Sequence, residues 1–195
     1  MRALVVIYSK TFNTFKVANR VKEELSADLV RIEAGREHSY LVSCVMAFMG
    51  WRTRVKPCNI SLKDYDLLVL CCPVWSWSTP PAVNEYMRLL ANGHGKKCAF
   101  VVTYGSSGSH RAVHKVWKKL EKKGLYCIDS LEVPADQVGN GAYYSAAERF
   151  ARGLKGKAMV PVPVAKVAAE ANHAVSGVKV AARSAGKVGR FLLRR

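Results

Sequence analysis

The chain has 195 residues, half of them hydrophobic and 23% charged, which suits one folded domain of ordinary size plus an extension. Its formal net charge of +17 argues against an acidic soluble electron carrier and favours an anionic partner. The six cysteines show no C-x-x-C spacing, so we expect buried, reduced thiols rather than disulfides or a metal site.

The first predicted unit is a strand, a polar loop and a helix. Residues 3–7 form a continuous apolar run, which is typical of a strand buried on both faces. Val17, Val21 and Leu25 follow at helical spacing. The loop between them carries hydroxyl and amide side chains: Ser9, Thr11, Asn13 and Thr14. Because a helix N-terminus attracts anions, this loop predicts a phosphate site or, more simply, a set of helix caps.

Strands and helices alternate along the rest of the chain. Further strands are predicted over residues 28–32, 67–72, 98–103 and 126–133, the last with the polar positions of an edge strand. Further helices are predicted over residues 38–51, 80–90, 111–123 and 143–154. This alternation predicts an α/β fold with a five-stranded parallel sheet and helices on both faces.

Three loops leave the carboxyl ends of these strands, where ligands of open α/β sheets bind. They cover residues 8–14, 73–80 and 104–110. The second places Trp75 and Trp77 on a proline-stiffened segment, and the third is rich in glycine and serine. An anion site, an aromatic wall and a slim polar loop together favour a flat, phosphorylated, aromatic cofactor. Taken singly, the two tryptophans could equally be ordinary loop packing.

Three motifs, in order, give the chain a resemblance to the flavodoxin superfamily, above all to its small single-domain proteins of prokaryotes. The family shows Y-S-x-T-G-N-T and then V-A, here residues 8–14 and Val17-Ala18. It also shows Y-D-L-V-x-x-G-x-P-V-W, here residues 65–75, and T-x-G-G-S-G, here residues 103–108. The resemblance covers residues 1–154 and implies a flavodoxin-like three-layer sandwich with the strand order 2-1-3-4-5.

The resemblance also implies noncovalent FMN. Its phosphate would bind the side chains of Ser9, Thr11, Asn13 and Thr14 and the backbone N–H groups of Lys10 and Phe12. Its ring would lie between two loops that contribute Pro73, Val74, Trp75, Ser76, Trp77, Tyr104, Gly105, Ser106 and Gly108. The implied function is that of an FMN-dependent oxidoreductase or electron-transfer protein, with a redox partner protein or a small-molecule acceptor.

Two positions depart from the family pattern. Phe12 replaces the glycine of the phosphate loop; a positive φ there would cost about 1–2 kcal/mol and weaken FMN binding roughly tenfold to thirtyfold. Cys71-Cys72 replaces a glycine-containing pair below the ring. We interpret these cysteines as small buried thiols, with redox-active or metal-binding thiols as the alternative. A flavin-free interaction module that kept the fold is the alternative function.

Other candidate residues allow two interpretations each. His110 and His114 come within sequence reach of the ring, but they fit a solvated basic helix better than an acid–base role. The helix over 38–51 would lie over the cofactor as a lid, with core packing as the alternative. Its bulky candidates for a pocket roof are Tyr40, Phe48, Met49 and Trp51.

The end of the chain is not explained by the family. We divide the sequence into a domain over 1–154, a linker over 155–163 and a basic amphipathic helix over 164–195. From residue 151 onward, ten Lys and Arg residues stand against one acid, Glu170. An anionic membrane surface and self-association, or packing back on the domain, are the favoured partners. Nucleic acid ranks behind them because no binding motif accompanies the charge.

The start of the sequence runs directly into a predicted strand, without the pattern of a signal peptide. No uncharged apolar run is long enough to cross a bilayer. Together with the expected reduced thiols, these features predict a cytoplasmic location. The basic tail adds the expectation of a peripheral position at the inner face of the membrane.

Overall fold

A computed structural model describes residues 1–36 and 38–160 of the chain. The strands are β1 Ala3–Ile7, β2 Asp28–Arg31, β3 Leu67–Pro73, β4 Lys97–Tyr104 and β5 Tyr126–Pro134. They form one five-stranded sheet in the order β2-β1-β3-β4-β5, and every neighbouring pair is parallel. The predicted fold class and strand order are thereby confirmed.

Six helices occur in the described part of the chain. They are α1 Asn13–Leu25, α2 Tyr40–Phe48, α3 Pro81–Leu89, α4 Ser109–Glu121, α5 Ala135–Gly139 and α6 Tyr143–Met159. Helix α5 is too short to show a helical period in the sequence and was not predicted. Helix α6 continues to Met159, so residues 155–159, which we assigned to the linker, are helical. The predicted tail helix over 164–195 lies outside the described residues.

Side chains that alternate along the strands form two apolar cores, one on each face of the sheet. Val5 and Val69 belong to the core beneath α1 and α6. Leu4 and Leu70 belong to the core beneath α3 and α4. The two cores fix the sheet from both sides and leave the carboxyl ends of its strands for the loops.

The cysteine pair at the end of β3 divides between these cores. Cys71 faces one and Cys72 faces the other, and neither side chain is exposed. Burial raises the pKa of both thiols. They are therefore protonated core side chains, as the favoured interpretation had it.

All six cysteines are free. Within residues 1–36 and 38–160, no group of three or more His, Cys, Asp or Glu side chains is placed to hold a metal ion. Among the described helices, none combines the length and the apolar composition that a bilayer span requires.

A buried lysine at the start of β4 closes the C-terminal end of α6. Lys97 is 8% exposed, and its Nζ donates hydrogen bonds to the carbonyl oxygens of Lys157 at 3.1 Å and Ala158 at 2.7 Å. It also donates to the carbonyl oxygen of Val160. The last carbonyls of a helix have no partner within the helix and carry the negative end of its dipole. The ammonium group therefore ties the last turn of α6 to the sheet.

We expect Lys97→Met to lower the free energy of unfolding by about 1–3 kcal/mol, because carbonyl groups at the end of α6 lose their donor while the apolar stem is kept. Chemical denaturation followed by circular dichroism measures the change. The control is Lys155→Met at an exposed position of the same helix, with a change within about 0.5 kcal/mol. Equal stability of Lys97→Met and the wild type would contradict the capping role.

Candidate functional site

The three predicted loops meet at the carboxyl edge of the sheet, beyond β1, β3 and β4. The ring of Tyr8 lies edge-on to that of Trp75, with 5.7 Å between the ring centroids. The backbone N–H of Val74 donates to the carbonyl of Thr103 at 2.8 Å. The buried hydroxyls of Thr14 and Thr103 are 2.7 Å apart. Contacts thus run from the first loop to the second and from both to the end of β4.

The loop between β1 and α1 presents hydrogen-bond donors without partners. No side chain caps the first turn of α1, and that turn contains no acidic residue. The hydroxyl of Ser9 is buried and makes no hydrogen bond within the described part of the chain. A buried polar group left unpaired costs about 1–3 kcal/mol, which an anion bound at this point would recover. Lys10 adds an exposed cation next to it.

Phe12 adopts the left-handed conformation that glycine would take most easily, with φ 63° and ψ −13°. Its side chain is 61% exposed and lies edge-on to Phe15, with 6.1 Å between the ring centroids. The Phe12 side chain therefore faces solvent. A residue other than glycine in this conformation carries about 1–2 kcal/mol of backbone strain. The weaker FMN binding expected from this strain stays a prediction.

The loop after β3 contains a tight turn over residues 75–78. Trp75 and Ser78 exchange two backbone hydrogen bonds, of 2.9 and 3.0 Å. The two central residues, Ser76 and Trp77, have positive φ angles of 47° and 56°. Residues other than glycine rarely adopt such φ angles. When they do, the surrounding structure imposes the strain, often at a functional site. The turn buries Trp75 and leaves Trp77 half exposed.

Trp77 lies directly against the backbone of Gly108, the residue before α4. A Cβ atom at Gly108 would meet the Cδ1 atom of Trp77 at 2.2 Å, and the φ angle of Gly108 is +90°. Both the space and the backbone angle therefore require glycine. The two loops predicted to enclose a flat ring are in direct contact here. A ring could enter between them only if the half-exposed Trp77 swung outward.

A cavity of about 270 Å³ opens beside the first loop, on the β2 side of the site. Three predicted site residues line it: Ser9, Lys10 and Trp75. Tyr8, which contacts Trp75, lines it as well. The sequence reasoning missed a cationic part of the lining, made by Arg31, Arg36 and Lys56, with His38 beside it. The sequence gives one indication of their position, which is that they belong to β2 or come after it. The carboxyl end of β2 lies at the same rim as those of the other strands. Glu33 also lines the cavity and pairs with Lys56 at 2.9 Å, which lowers the pKa of its carboxyl group.

The remaining predicted site residues surround the rim at different depths. Thr11, Gly105 and Ser106 are exposed, and the half-buried ones are Asn13, Pro73, Val74, Ser76, Tyr104 and Gly108. His110 and His114 are exposed on α4, in agreement with the solvated basic helix. None of these residues lines the 270 Å³ cavity.

Of the four bulky residues of the predicted lid, Tyr40, the first residue of α2, is the one whose ring contacts Trp75. The ring of Tyr40 lies edge-on to Trp75, with 6.0 Å between the centroids. Phe48, Met49 and Trp51 are each more than half exposed, and none of them lines the cavity beside Ser9. The side chains of Phe48, Met49 and Trp51 therefore face away from the rim.

A buried asparagine, which the sequence reasoning also missed, connects the second loop to two helices. The Oδ1 atom of Asn84 accepts hydrogen bonds from Thr79 Oγ1 and Lys119 Nζ, both at 2.7 Å. Its Nδ2 atom donates to the carbonyl of Trp51 at 3.1 Å and to that of Thr79 at 3.3 Å. The loop before α3, the segment after α2 and the last turns of α4 are thus held by one side chain. An asparagine in a helix gives no sequence signal for such a role.

Comparisons with known proteins identify the fold. No family model and no curated protein matches the chain. A flavoprotein in complex with FMN from Lactobacillus acidophilus NCFM superposes with a TM-score of 0.60 and 17% identity, over 72% of this chain and 98% of that one. A putative flavoprotein from Bacteroides uniformis gives 0.64 and 19%, over 77% and 97%. Oxidised Flavodoxin 2 from Bacillus cereus gives 0.59 and 17%, over 80% and 99%.

These alignments cover nearly the whole of each solved structure. At such low identities the likeness concerns the arrangement of strands and helices rather than any shared activity. The strand order of the sheet agrees with the order that the sequence resemblance implied. The chain therefore has the flavodoxin-like α/β fold that the sequence resemblance implied.

Proposed function

We propose that this protein binds FMN noncovalently at the rim formed by residues 8–14, 73–80 and 104–110, and that it acts as an electron-transfer protein or oxidoreductase. The buried, unpaired hydroxyl of Ser9 beside the uncapped start of α1 is the observation that carries the proposal. A phosphate group accepts hydrogen bonds both from hydroxyl groups and from the free backbone N–H groups at the start of a helix. The flavoprotein from Lactobacillus acidophilus, described as a complex with FMN, supports the choice of cofactor.

The residues at the rim have separate roles in this proposal. Ser9 and the first N–H groups of α1 would hold the phosphate, with Lys10 as a neighbouring cation. Trp75 would supply an aromatic wall, and Gly108 would let the third loop approach the ring closely. Bound FMN would supply one- and two-electron transfer. The protein itself would bind the cofactor, orient it and limit the access of water.

The side chains favour electron transfer over a reaction that needs a protein acid or base. Among the residues described by the structure, no His, Asp or Glu is buried. Acids and bases used in catalysis commonly owe their adjusted pKa values to burial or to charged neighbours in a closed site. A redox partner protein or a small-molecule acceptor would then exchange electrons at the exposed edge of the rim.

We expect Ser9→Ala to weaken FMN binding about tenfold or more, because a hydrogen bond to a charged group contributes about 1.5–3 kcal/mol. Quenching of FMN fluorescence measures the affinity. Riboflavin, which lacks the phosphate, should bind more weakly and should not respond to the substitution. Ser145→Ala, at an exposed position of α6 away from the rim, is the matched control and should leave both affinities unchanged.

Wild-type protein that is purified without colour and leaves the fluorescence of added FMN unchanged would reject a flavin site. The flavin-free interaction module would then be the better account of the fold, with the basic residues 164–195 as its anchor.

We expect Phe12→Gly to raise the free energy of unfolding by about 0.5–1 kcal/mol. Glycine relieves roughly 1–2 kcal/mol of strain and returns part of it as unfolded-state entropy. We propose that the folded chain carries this strain with or without FMN, so FMN affinity should change less than about threefold. Denaturation without FMN and a parallel titration measure the two effects.

Phe12→Ala is the control for this substitution, since alanine keeps the strained backbone and removes the ring. It should bring no gain in stability. A stability gain for Phe12→Ala equal to that of Phe12→Gly would contradict the explanation by backbone strain. A large gain in FMN affinity without a gain in stability would assign the cost to binding instead.

A further inference from the structure

Helix α2 turns a wide apolar face away from the domain. Of its residues, only Ser43 and Ala47, one helical turn apart, are buried. Bulky side chains occupy the outer side of α2 and the segment just after it. We call this set the α2 stripe: Leu41, Val45 and Phe48 of the helix, and Met49 and Trp51 beyond its end. Each of them is between 53% and 78% exposed. The sequence from Ser39 to Trp51 contains no charged residue.

Basic residues follow this uncharged segment: Arg52, Arg54 and Lys56. Before it, the charge of Arg36 is offset in the sequence by Glu37. A contiguous apolar patch exposed on a folded protein commonly marks an interaction surface. An apolar helix face that carries Trp, Phe and Leu, with cations close by, is typical of helices that lie in the interface of a membrane.

A second feature adjoins the stripe at the C-terminal end of α2. It is a groove of about 640 Å³ between α2, α3 and α4, with an apolar part made by Met46, Trp51 and Met87. Its cationic part, together with these, defines the basic groove: Arg52, Arg88, Lys119, Lys122 and Lys123. The groove thus places several positive charges beside the last residue of the stripe.

Acidic side chains neutralise only part of this charge. Glu85 pairs with Arg88 at 2.7 Å and lies 3.7 Å from Arg52. Lys119 donates to the neutral amide of Asn84 at 2.7 Å, and Lys123 donates to the carbonyl oxygens of residues 88 and 90. Desolvation, with Lys115 and Arg52 nearby, lowers the pKa of the Lys119 ammonium. An anion in the groove would relieve this crowding of like charges.

We infer that α2 docks on an anionic lipid bilayer. The α2 stripe would lie at the boundary between head groups and acyl chains, and the basic groove would face lipid phosphates. Apolar burial and the attraction between cations and anionic lipids both contribute to such binding. The formal charge of +17 for the whole chain acts in the same direction.

Other occupants of this surface fit the charges less well. A second copy of the chain would bring two basic grooves together. Residues 161–195 carry seven Lys and Arg residues against one acid, so they would also add like charge. An acidic protein would match the charge, but the uncharged segment 39–51 offers few side-chain partners for the polar rim that protein interfaces have.

The inference does not rest on the flavin, although the docking surface borders the rim. Tyr40 at the start of α2 contacts Trp75. At the other end, the carbonyl of Trp51 is held by Asn84. No residue of the α2 stripe lines the cavity beside Ser9, so substitutions in the stripe should leave FMN binding unchanged.

Flotation of the full chain with vesicles of phosphatidylcholine, with or without phosphatidylglycerol, tests the docking. We expect binding that requires phosphatidylglycerol. Leu41→Ser with Phe48→Ser should weaken it at least about tenfold, since two exposed apolar side chains lose their burial in lipid. The matched control is Tyr144→Ser with Met159→Ser, at exposed positions of α6 on the opposite face of the sheet, and it should bind as the wild type does.

The basic groove is tested by Lys122→Gln, an exposed position that should weaken vesicle binding about threefold to fivefold. Lys155→Gln removes the same charge from α6 and should have a smaller effect. With brominated lipids, tryptophan quenching should largely disappear in Trp51→Phe and persist in Trp117→Phe. These results together would place the end of α2 in the lipid interface.

Three results would overturn the inference. Failure of the wild-type protein to bind the vesicles would overturn it directly. Binding that is indifferent to the stripe substitutions would assign the membrane contact to another part of the chain. Self-association of the wild type without lipid, abolished by the same substitutions, would show that a second copy covers the stripe. An FMN titration of the stripe variant keeps these outcomes separate from any failure of the flavin proposal.

Discussion

The side-by-side position of the carboxyl ends of β1, β3 and β4 is the constraint on which the site depends. Ile7 pairs with Cys71, and Pro73 pairs with Thr103, so the three loops begin at adjacent points of one edge. The apolar cores on both faces hold the strands in this register. Any disturbance of the sheet would separate the donors of the first loop from the aromatic residues of the second.

Backbone strain is concentrated at this edge. Outside glycine, positive φ angles occur in the described residues at Phe12, Ser76, Trp77, Ser26 and Asn92, and the first three belong to the rim. A strained turn persists only when its surroundings impose it, and strain of this kind gathers at binding sites. The contact between Trp77 and Gly108 lies at the same edge and joins the second loop to the third. A ring that binds between these loops would have to displace Trp77 from Gly108.

Much of the fold could be read from local patterns. The apolar runs of β1, β3 and β4 and the proline at the start of α3 predicted buried strands and a helix boundary. The end of α6 could not be predicted, because it depends on Lys97, which is distant in sequence and contacts the helix only in the folded chain. Helix α5 lacks the length that a periodic pattern needs.

The site was predictable where a motif carried it and not elsewhere. The motif residues Ser9 and Trp75 line the cavity, whereas Arg31 and Lys56 reach it through the pairing of β2 with its neighbours. Asn84 acts through contacts with three separate elements, which no spacing reveals. The bulky residues of α2 were assigned to a lid because the pattern shows that a helix is apolar but not which way its broad face points.

A crystal structure of the full chain grown with FMN would show whether the three loops converge on one flavin site. We expect the FMN phosphate within about 3 Å of the Ser9 hydroxyl and the first N–H groups of α1, with Trp77 displaced from Gly108. A phosphate bound elsewhere, or crystals without FMN in which the Ser9 hydroxyl still has no partner, would contradict this expectation.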